Sequence, residues 1–308
     1  MPDPALPAAA PVVDTRKSLF DRLGAALPIA LTAIATAFAG LSTGELQRAM
    51  LWRSAAAQDQ SRATDQWTLA GFKRDRSLIL QVAAAQLRAT AGYARPHFPD
   101  APDGTTPANH HLAWLGGKGP PTVTLPEIDD DRLRELLRAI RGHDTDEAIL
   151  SVAVGVRQSA INHAIDSAES VITHTDQEWE PTLMAAANLI AECAQVPPDA
   201  PDRAARVTAA NAAQAAGFEL ENRRYRVEAG LNQGVGYLYE ARVKVSTARS
   251  DRHRAKSEIF FYAMLAGQIG ATIASLALAR KQKNTLWLLA GLAGIVSIAI
   301  GVYVYVGL

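Results

Sequence analysis

The chain has 308 residues with 31 basic and 31 acidic side chains, so its formal net charge at pH 7 is zero. This balance argues against a nucleic-acid partner, and the single cysteine, Cys193, excludes an internal disulfide. Abundant alanine and only 6% aromatic residues favour close-packed helices over a sheet sandwich, so we expect an all-α protein.

The first 42 residues predict a disordered arm followed by a membrane helix. Residues 1–22 are rich in proline and alanine, whereas residues 24–41 carry no charge. We assign the arm to 1–22 and transmembrane helix 1 to 23–42, with Pro28 in its first turn. A signal peptide cleaved after small residues at 35–37 or 37–39 is the alternative. The long arm and the helical sequence that follows favour a retained helix.

Residues 43–257 predict a helical extramembrane domain, which begins with a helix over 43–90. Apolar residues recur there near three- and four-residue spacings, which is the pattern of a helix. They are Leu46, Met50, Ala57, Trp67, Ala70, Phe72, Ile79, Val82, Ala83 and Leu87.

Two proline-rich segments interrupt this domain. Residues 95–127 contain seven prolines and four glycines and predict an irregular loop, and residues 197–202 predict a linker. Three histidines lie in the loop, at positions 97, 110 and 111. Their loose spacing favours ordinary loop histidines over a metal site.

Three helices are predicted between the loop and the linker, at 129–142, 144–178 and 181–196. Cys193 has apolar neighbours and no nearby histidine, which predicts a small buried residue rather than a nucleophile. A longer helical stretch follows over 203–256. We hypothesise that it packs antiparallel against 43–90 as a coiled-coil-like stalk.

The last fifty residues predict a membrane hairpin. Residues 258–280 and 285–308 form two apolar runs, each of roughly the 20 residues that a membrane-spanning helix needs. A short basic connector at 280–284 joins them. The expected fold is therefore an integral membrane protein with one N-terminal and two C-terminal transmembrane helices.

Small side chains at four-residue spacing predict where the membrane helices pack, because such residues let helix backbones approach closely in lipid. They are Thr32, Thr36, Gly40, Ala263, Gly267, Ala271, Ser275, Ala293, Ser297 and Gly301. Packing within one chain and self-association are both compatible with this pattern, and Gln268 can hydrogen-bond across either interface.

Basic residues also lie beside the second span and suggest contact with anionic lipid headgroups, although plain interfacial anchoring is the favoured interpretation. They are Arg249, Arg252, Arg254 and Lys256. Basic residues of the arm and the connector share the opposite face, which favours an extracytoplasmic position for the large domain in a bacterial inner membrane.

Two segments resemble a bacterial membrane family described as domain of unknown function 4337. They are FAGLSTGELQRAMLWRSAAAQDQSRATDQW at 38–67 and RHRAKSEIFFYAMLAGQIGATIASLALARKQKNTLWLLAGLAG at 252–294. The resemblance implies one amino-terminal span, a helical region and a carboxy-terminal hairpin. It implies no activity.

No phosphate loop, Rossmann glycine motif, nucleophile elbow, zinc-protease motif or EF-hand loop occurs in the sequence, so we predict no catalytic, cofactor-binding or metal-binding residue. We expect a non-enzymatic scaffold or interaction protein whose partners are the lipid bilayer and a second copy or an unknown protein. An oligomeric channel or transport accessory subunit is the alternative, with Thr32, Thr36, Gln268 and Ser275 facing a pore. A membrane-tethered enzyme is the third hypothesis.

Overall fold

A computed structural model describes residues 19–90, 123–195, 199, 201–280 and 285–307, and its elements are six helices. They are α1 (Leu19–Thr90), α2 (Asp131–Arg141), α3 (Asp146–Ala153), α4 (Gln158–Ala194), α5 (Arg203–Arg280) and α6 (Thr285–Gly307). No strand occurs in these ranges, which confirms the predicted all-α class.

Some predictions fall on residues outside this description. These are the arm up to residue 18, the part of the 95–127 loop before residue 123 with its three histidines, and connector residues 281–284. The 197–202 linker is described only in part. Cys193 lies within α4, but its side chain is not among those described.

Three helices are long and apolar enough to cross a membrane: α1, α5 and α6. In α5 the apolar part is its C-terminal end, as the hydropathy of residues 258–280 predicts. The expected order of one N-terminal and two C-terminal spans, with a long helix between them, is confirmed by length and composition.

The chain divides into two compact units, which we call the membrane unit and the middle unit. The membrane unit comprises residues up to Leu51 and from Ser250 onward, and the middle unit is Trp52–Arg249. Both α1 and α5 contribute to each unit, because each helix continues through the unit boundary without interruption.

In the membrane unit, α1, α5 and α6 pack around a small apolar core of Leu31, Ala274 and Ala290. Just beyond the apolar segments, α1 and α5 approach closely enough for reciprocal side-chain-to-backbone bonds. The Ser42 hydroxyl donates to the Ser257 carbonyl at 2.9 Å, and the Ser257 hydroxyl donates to the Ser42 carbonyl at 2.8 Å. Deeper in the spans Gly267 lies against Ala35 and Gly270 against Leu31, so the two helices are antiparallel here.

In the middle unit, α1 and α5 are joined by α4, with α2 and α3 packed on one end of the core. Leu133, Leu136, Ile161, Val235 and Val245 are fully buried there. Farther along α4, Trp179 is buried with Leu220 and Ala186 in a second cluster.

Between 43–90 and 203–256, Glu45 contacts His253 and Ala49 accepts from Ser250 in the membrane unit. In the middle unit Asp59 pairs with Arg242 and Ser77 with Asn222. The two segments are therefore antiparallel within each unit, as hypothesised.

Several large apolar residues of α1 are exposed. Phe72 and Ile79 are each 68% exposed, and Leu46, Met50 and Val82 are exposed as well. Small residues at seven-residue spacing are buried instead: Ala49, Ala56, Ala63, Ala70, Ser77 and Ala84. Small side chains face the neighbouring helices, because the helix backbones come close there.

The helices between the loop and the linker differ from prediction. The expected helix over 144–178 is interrupted at residues 154–157, which include Gly155. The helix α4 then continues without a break past Pro181. Proline removes one backbone donor, yet α4 tolerates it in its interior. Pro28 likewise lies inside α1 rather than in its first turn, because α1 begins at Leu19.

Candidate functional sites

Side chains of α1 fill gaps left by glycines in the membrane unit. A Cβ added at Gly294 would lie 2.6 Å from Leu31 Cδ2, and one added at Gly270 would lie 3.3 Å from Leu31 Cδ1. The Phe38 ring occupies the space beside Gly301 in the same way and stacks on Phe260, with ring centroids 6.1 Å apart. These glycines allow the three helices to pack closely, as small residues do in lipid.

The ten residues predicted for membrane helix packing are divided between the interior and the surface of this unit. Ala263, Gly267, Ser297 and Gly301 are buried, whereas Ala271 and Ala293 are half-buried. Thr32, Thr36, Gly40 and Ser275 are exposed. The interior follows the seven-residue repeat of Phe260, Gly267 and Ala274, and the four-residue stripe on the sequence drifts away from it.

A buried hydroxyl links two helices inside the membrane unit. The Ser297 hydroxyl is buried and donates to the Ala263 carbonyl at 2.7 Å, which joins α6 to α5. Because lipid offers no alternative partner, this bond favours the packed hairpin.

Five other polar side chains of the spans lie on the surface, and we call this set the polar flank. Its members are Thr32 and Thr36 of α1 with Gln268, Thr272 and Ser275 of α5, all exposed. The four hydroxyls each donate to a carbonyl one turn earlier in their own helix, at 2.8–2.9 Å. Only the Gln268 amide is left without a hydrogen bond to a described residue.

The four basic residues predicted near the second span have different neighbours. Arg249 lies over the Trp52 ring, 4.7 Å from its centroid, and Arg254 pairs with Glu258 at 3.2 Å. Arg252 is exposed and Lys256 is half-buried. Between them His253 contacts Glu45 at 2.6 Å, which ties α5 to α1 within the membrane unit.

A buried ion pair joins α1 to α5 in the middle unit. Arg242 donates to both carboxylate oxygens of Asp59, at 2.8 and 2.5 Å, and both side chains are largely shielded from solvent. The same guanidinium lies 4.8 Å from the centroid of the Tyr239 ring. Tyr239 donates to Glu169 of α4 at 2.7 Å, and burial together with this bond raises the pKa of its hydroxyl.

A second charged layer joins all three long helices. Lys73 of α1 contacts Glu228 of α5 at 2.9 Å, and Arg224 pairs with Glu228 as well. Asp176 of α4 lies 3.8 Å from Arg224. Burial and the nearby Glu228 carboxylate raise the pKa of Asp176, although Lys73 and Arg224 oppose the shift.

Sequence reasoning missed these layers, although a signal was present. Glu45, Asp59 and Lys73 stand at multiples of seven residues, between the small residues of the buried face of α1. Charged residues at core positions of a seven-residue repeat indicate interhelical pairing. Trp67 also joins α1 to α5, with an uncharged donor: its indole donates to Glu240 at 2.8 Å.

A groove of about 1040 Å³ lies between α2 and α4, over α5. Its floor is apolar and includes Leu137 and Leu238, and its rim is charged. The rim charges are partly neutralised within the chain, since Arg157 pairs with Asp130 at 3.0 Å. In the described part of the chain, no group of three or more histidine, cysteine or acidic residues is placed to hold a metal ion.

No family model, curated protein or solved structure matches this chain. The resemblance to domain of unknown function 4337 therefore stays a prediction.

Proposed function

We propose that this protein is a membrane-anchored, non-enzymatic scaffold or interaction protein that acts through helix association. The observation that carries the proposal is the close, register-specific pairing of α1 with α5. In each unit, small residues bring the two helices together and a polar or charged pair sets their register, as with Glu45–His253 and Asp59–Arg242.

The first support comes from how the chain uses its buried charges. Asp59, Lys73 and Glu228 are each paired with a basic or acidic group on another helix. Buried pairs of this kind specify register in coiled coils, at some cost in stability. A coiled-coil framework with specified register suits a protein that must hold a shape, because each pair penalises sliding of the helices.

The second support is the amount of apolar surface left on the outside of α1 in the middle unit. Phe72 and Ile79 are seven residues apart and equally exposed, and Val82 is 58% exposed. Large apolar side chains that cluster on a surface indicate contact with another protein. The middle unit thus offers a face for a partner in addition to the membrane anchor.

We further propose that the protein resides in a bacterial inner membrane with the middle unit on the extracytoplasmic side. Exposed Tyr262, Tyr303 and Tyr305 support the membrane assignment, because tyrosine is enriched where spans meet the headgroups. Basic residues around the second span then contact the interface as anchors.

The association state of the full chain in lipid tests this proposal. Fluorescently labelled protein, reconstituted into vesicles over a range of protein-to-lipid ratios, is counted by photobleaching steps. We expect a homo-oligomer of defined copy number that persists on dilution with lipid. A strictly monomeric protein at every ratio would argue against a self-associating scaffold.

An oligomeric channel or transport accessory subunit is the second candidate, and the polar flank is the observation that favours it. Thr32, Thr36, Gln268 and Ser275 are all exposed and would line a pore if several copies faced one another. Ion flux from the same vesicles separates the two candidates. Flux that depends on Gln268 would support the channel, and its absence from a stable oligomer supports the scaffold.

A further inference from the structure

Gln268 lies close to the centre of the second span. It stands ten residues after 258 and twelve before 280, which corresponds to about 15 Å or more of helix on either side. Its carboxamide carries two donor hydrogens and one acceptor oxygen, and none of them forms a hydrogen bond with a described residue. Hydrocarbon cannot satisfy these groups, so exposure of this amide to lipid is costly.

The polar flank occupies one side of the α1–α5 pair. Gln268 and Ser275 each follow a buried residue of α5 by one position, and Thr32 and Thr36 do the same on α1. In an antiparallel pair, residues that follow the contact positions project to the same side, since both helices are right-handed.

The depths of the two helices agree with this placement. A Cβ added at Gly267 would lie 3.1 Å from Ala35 Cβ, and one at Gly270 would lie 3.3 Å from Leu31 Cδ1. Thr32 and Gln268 therefore stand at nearly the same level. The helix α6 contacts the buried face of α5, through Ala263, Gly267 and Gly270. Gln268, Thr272 and Ser275 remain exposed beside that face.

We propose that the polar flank is a homodimer interface, in which the Gln268 amides of two copies hydrogen-bond to each other near the bilayer centre. This inference rests on the proposed function and names its partner, a second copy of this chain. A carboxamide is self-complementary, because its NH₂ group donates and its carbonyl oxygen accepts. A two-fold axis along the membrane normal brings the same residue of both copies to the same depth.

The rest of the flank fits a close helix contact. Thr272 and Ser275 have small side chains, and their hydroxyls already donate to carbonyls of α5. They therefore bring no unsatisfied donor to the interface. Small side chains at a membrane interface permit close backbone approach, and an interhelical amide bond adds specificity. By contrast, the exposed face of α6 is apolar at Ile295, Ile298 and Val302, which suits lipid.

Cysteine cross-linking in vesicles locates the interface. In a Cys193→Ala background, Ser275→Cys reports on the polar flank and Ile295→Cys is the matched control on the exposed face of α6. Both positions are exposed in the membrane unit, so neither change disturbs its core. We expect oxidation to give a disulfide-linked dimer of Ser275→Cys and none of Ile295→Cys. Cross-linking through Ile295→Cys alone would overturn the proposed interface.

The energetic test uses Gln268→Leu, with Gln268→Asn as the variant that keeps the amide. Loss of two amide bonds at this depth should raise the dimer dissociation constant about tenfold, as measured by energy transfer over a lipid dilution series. Helix content should stay unchanged, because the Gln268 side chain is exposed in the membrane unit. Gln268→Asn should retain dimer formation.

The outcomes separate this inference from the function on which it rests. An oligomer that is unaffected by Gln268→Leu would reject the amide pairing and leave the scaffold standing. A wild-type chain that is monomeric in lipid would contradict both. A larger assembly that conducts ions and loses conductance with Gln268→Leu would replace the dimer with the pore.

Discussion

At the residue scale, the middle unit depends on charged groups that are paired away from solvent. The Asp59 and Arg242 side chains are only 10% and 13% exposed. Desolvating two charges costs free energy that their attraction recovers only with good geometry. The bidentate contact supplies that geometry, and the stacked Tyr239 ring adds to it.

Asp59→Ala should destabilise the middle unit by about 3 kcal/mol, because it leaves the Arg242 guanidinium buried without its counter-charge. The free energy of unfolding is measured by denaturant titration of the full chain in detergent, followed by tryptophan fluorescence. Asp59→Leu combined with Arg242→Met should recover most of this loss, since it removes both charges. If the double variant were as unstable as Asp59→Ala, the pair would be acting through something other than unpaired charge.

Asp176→Asn should stabilise the protein slightly at neutral pH. One carboxylate oxygen of Asp176, Oδ1, is buried without a hydrogen bond, and the whole side chain is 47% exposed. Its pKa is raised by burial and by Glu228, against the opposing effects of Lys73 and Arg224. Solvent screening keeps the gain small, about 0.5 kcal/mol.

The raised pKa of Asp176 sets the sign of the pH dependence. The folded chain binds this proton more readily than the unfolded chain, so the charged form costs stability above the folded pKa. That cost disappears as the pH falls toward the unfolded value of 3.8. The wild type should therefore gain stability relative to Asp176→Asn between pH 7 and pH 4, in unfolding measured at each pH. A constant difference would place the effect outside this titration.

At the element scale, close helix approach is the common feature of both units. Gly236 of α5 lies against the Trp67 ring of α1, and a Cβ added there would be 3.2 Å from Trp67 Cε2. The ring has little freedom to move, because Glu240 accepts its indole hydrogen at 2.8 Å and Tyr237 meets it edge-on. Gly230 of the same helix has nothing within 4 Å.

Gly230→Ala and Gly236→Ala form a matched pair that measures this approach. Alanine favours a helix over glycine, so Gly230→Ala should stabilise the protein by about 0.5–1 kcal/mol. Gly236→Ala should lose that gain and destabilise by about 1 kcal/mol, because the indole must shift away from Glu240. Thermal unfolding followed by circular dichroism gives the comparison. Equal stabilisation by both changes would mean that α1 and α5 are more loosely packed than the structure shows.

The sequence predicted the elements better than their contacts. Length and hydropathy were enough for the three spans, because lipid admits few alternatives to a helix. The buried face of α1 was not predictable from hydrophobicity, since Ala63 is buried whereas Phe72 is exposed. Pairs such as Asp59–Arg242 join residues 183 positions apart, and only the antiparallel arrangement reveals them.

For the candidate site, small residues indicated that the membrane helices pack, but not on which side. Gly267 is buried in the bundle, whereas Ser275 of the same α5 stripe is exposed. Because an α-helix has 3.6 residues per turn, residues spaced four apart shift gradually around the helix axis. One such stripe therefore passes from the interior to the surface. This crossing places the polar flank outside the bundle, where one chain alone leaves Gln268 unsatisfied.

At the scale of the whole molecule, the number of crossings determines which segments share a compartment. If α1, α5 and α6 each cross the bilayer once, the residues that follow α5 belong to a different compartment from those that precede it. The basic residues of the 280–284 connector, Arg280, Lys281 and Lys283, compete with those at 249–256. Basic residues in short loops have the stronger influence on orientation, which favours a cytoplasmic connector.

Labelling with a membrane-impermeant maleimide tests this orientation in intact cells that express single-cysteine variants in a Cys193→Ala background. Ser151→Cys reports on the middle unit and Thr285→Cys on the start of α6, and both positions are exposed. We expect Ser151→Cys to react in intact cells and Thr285→Cys only after permeabilisation. The reverse pattern would keep the three spans and invert the protein, which would give the middle unit cytoplasmic partners. Labelling of both positions from the same side would contradict the crossing of α5, because the C-terminal part of that helix is all that separates them across the bilayer.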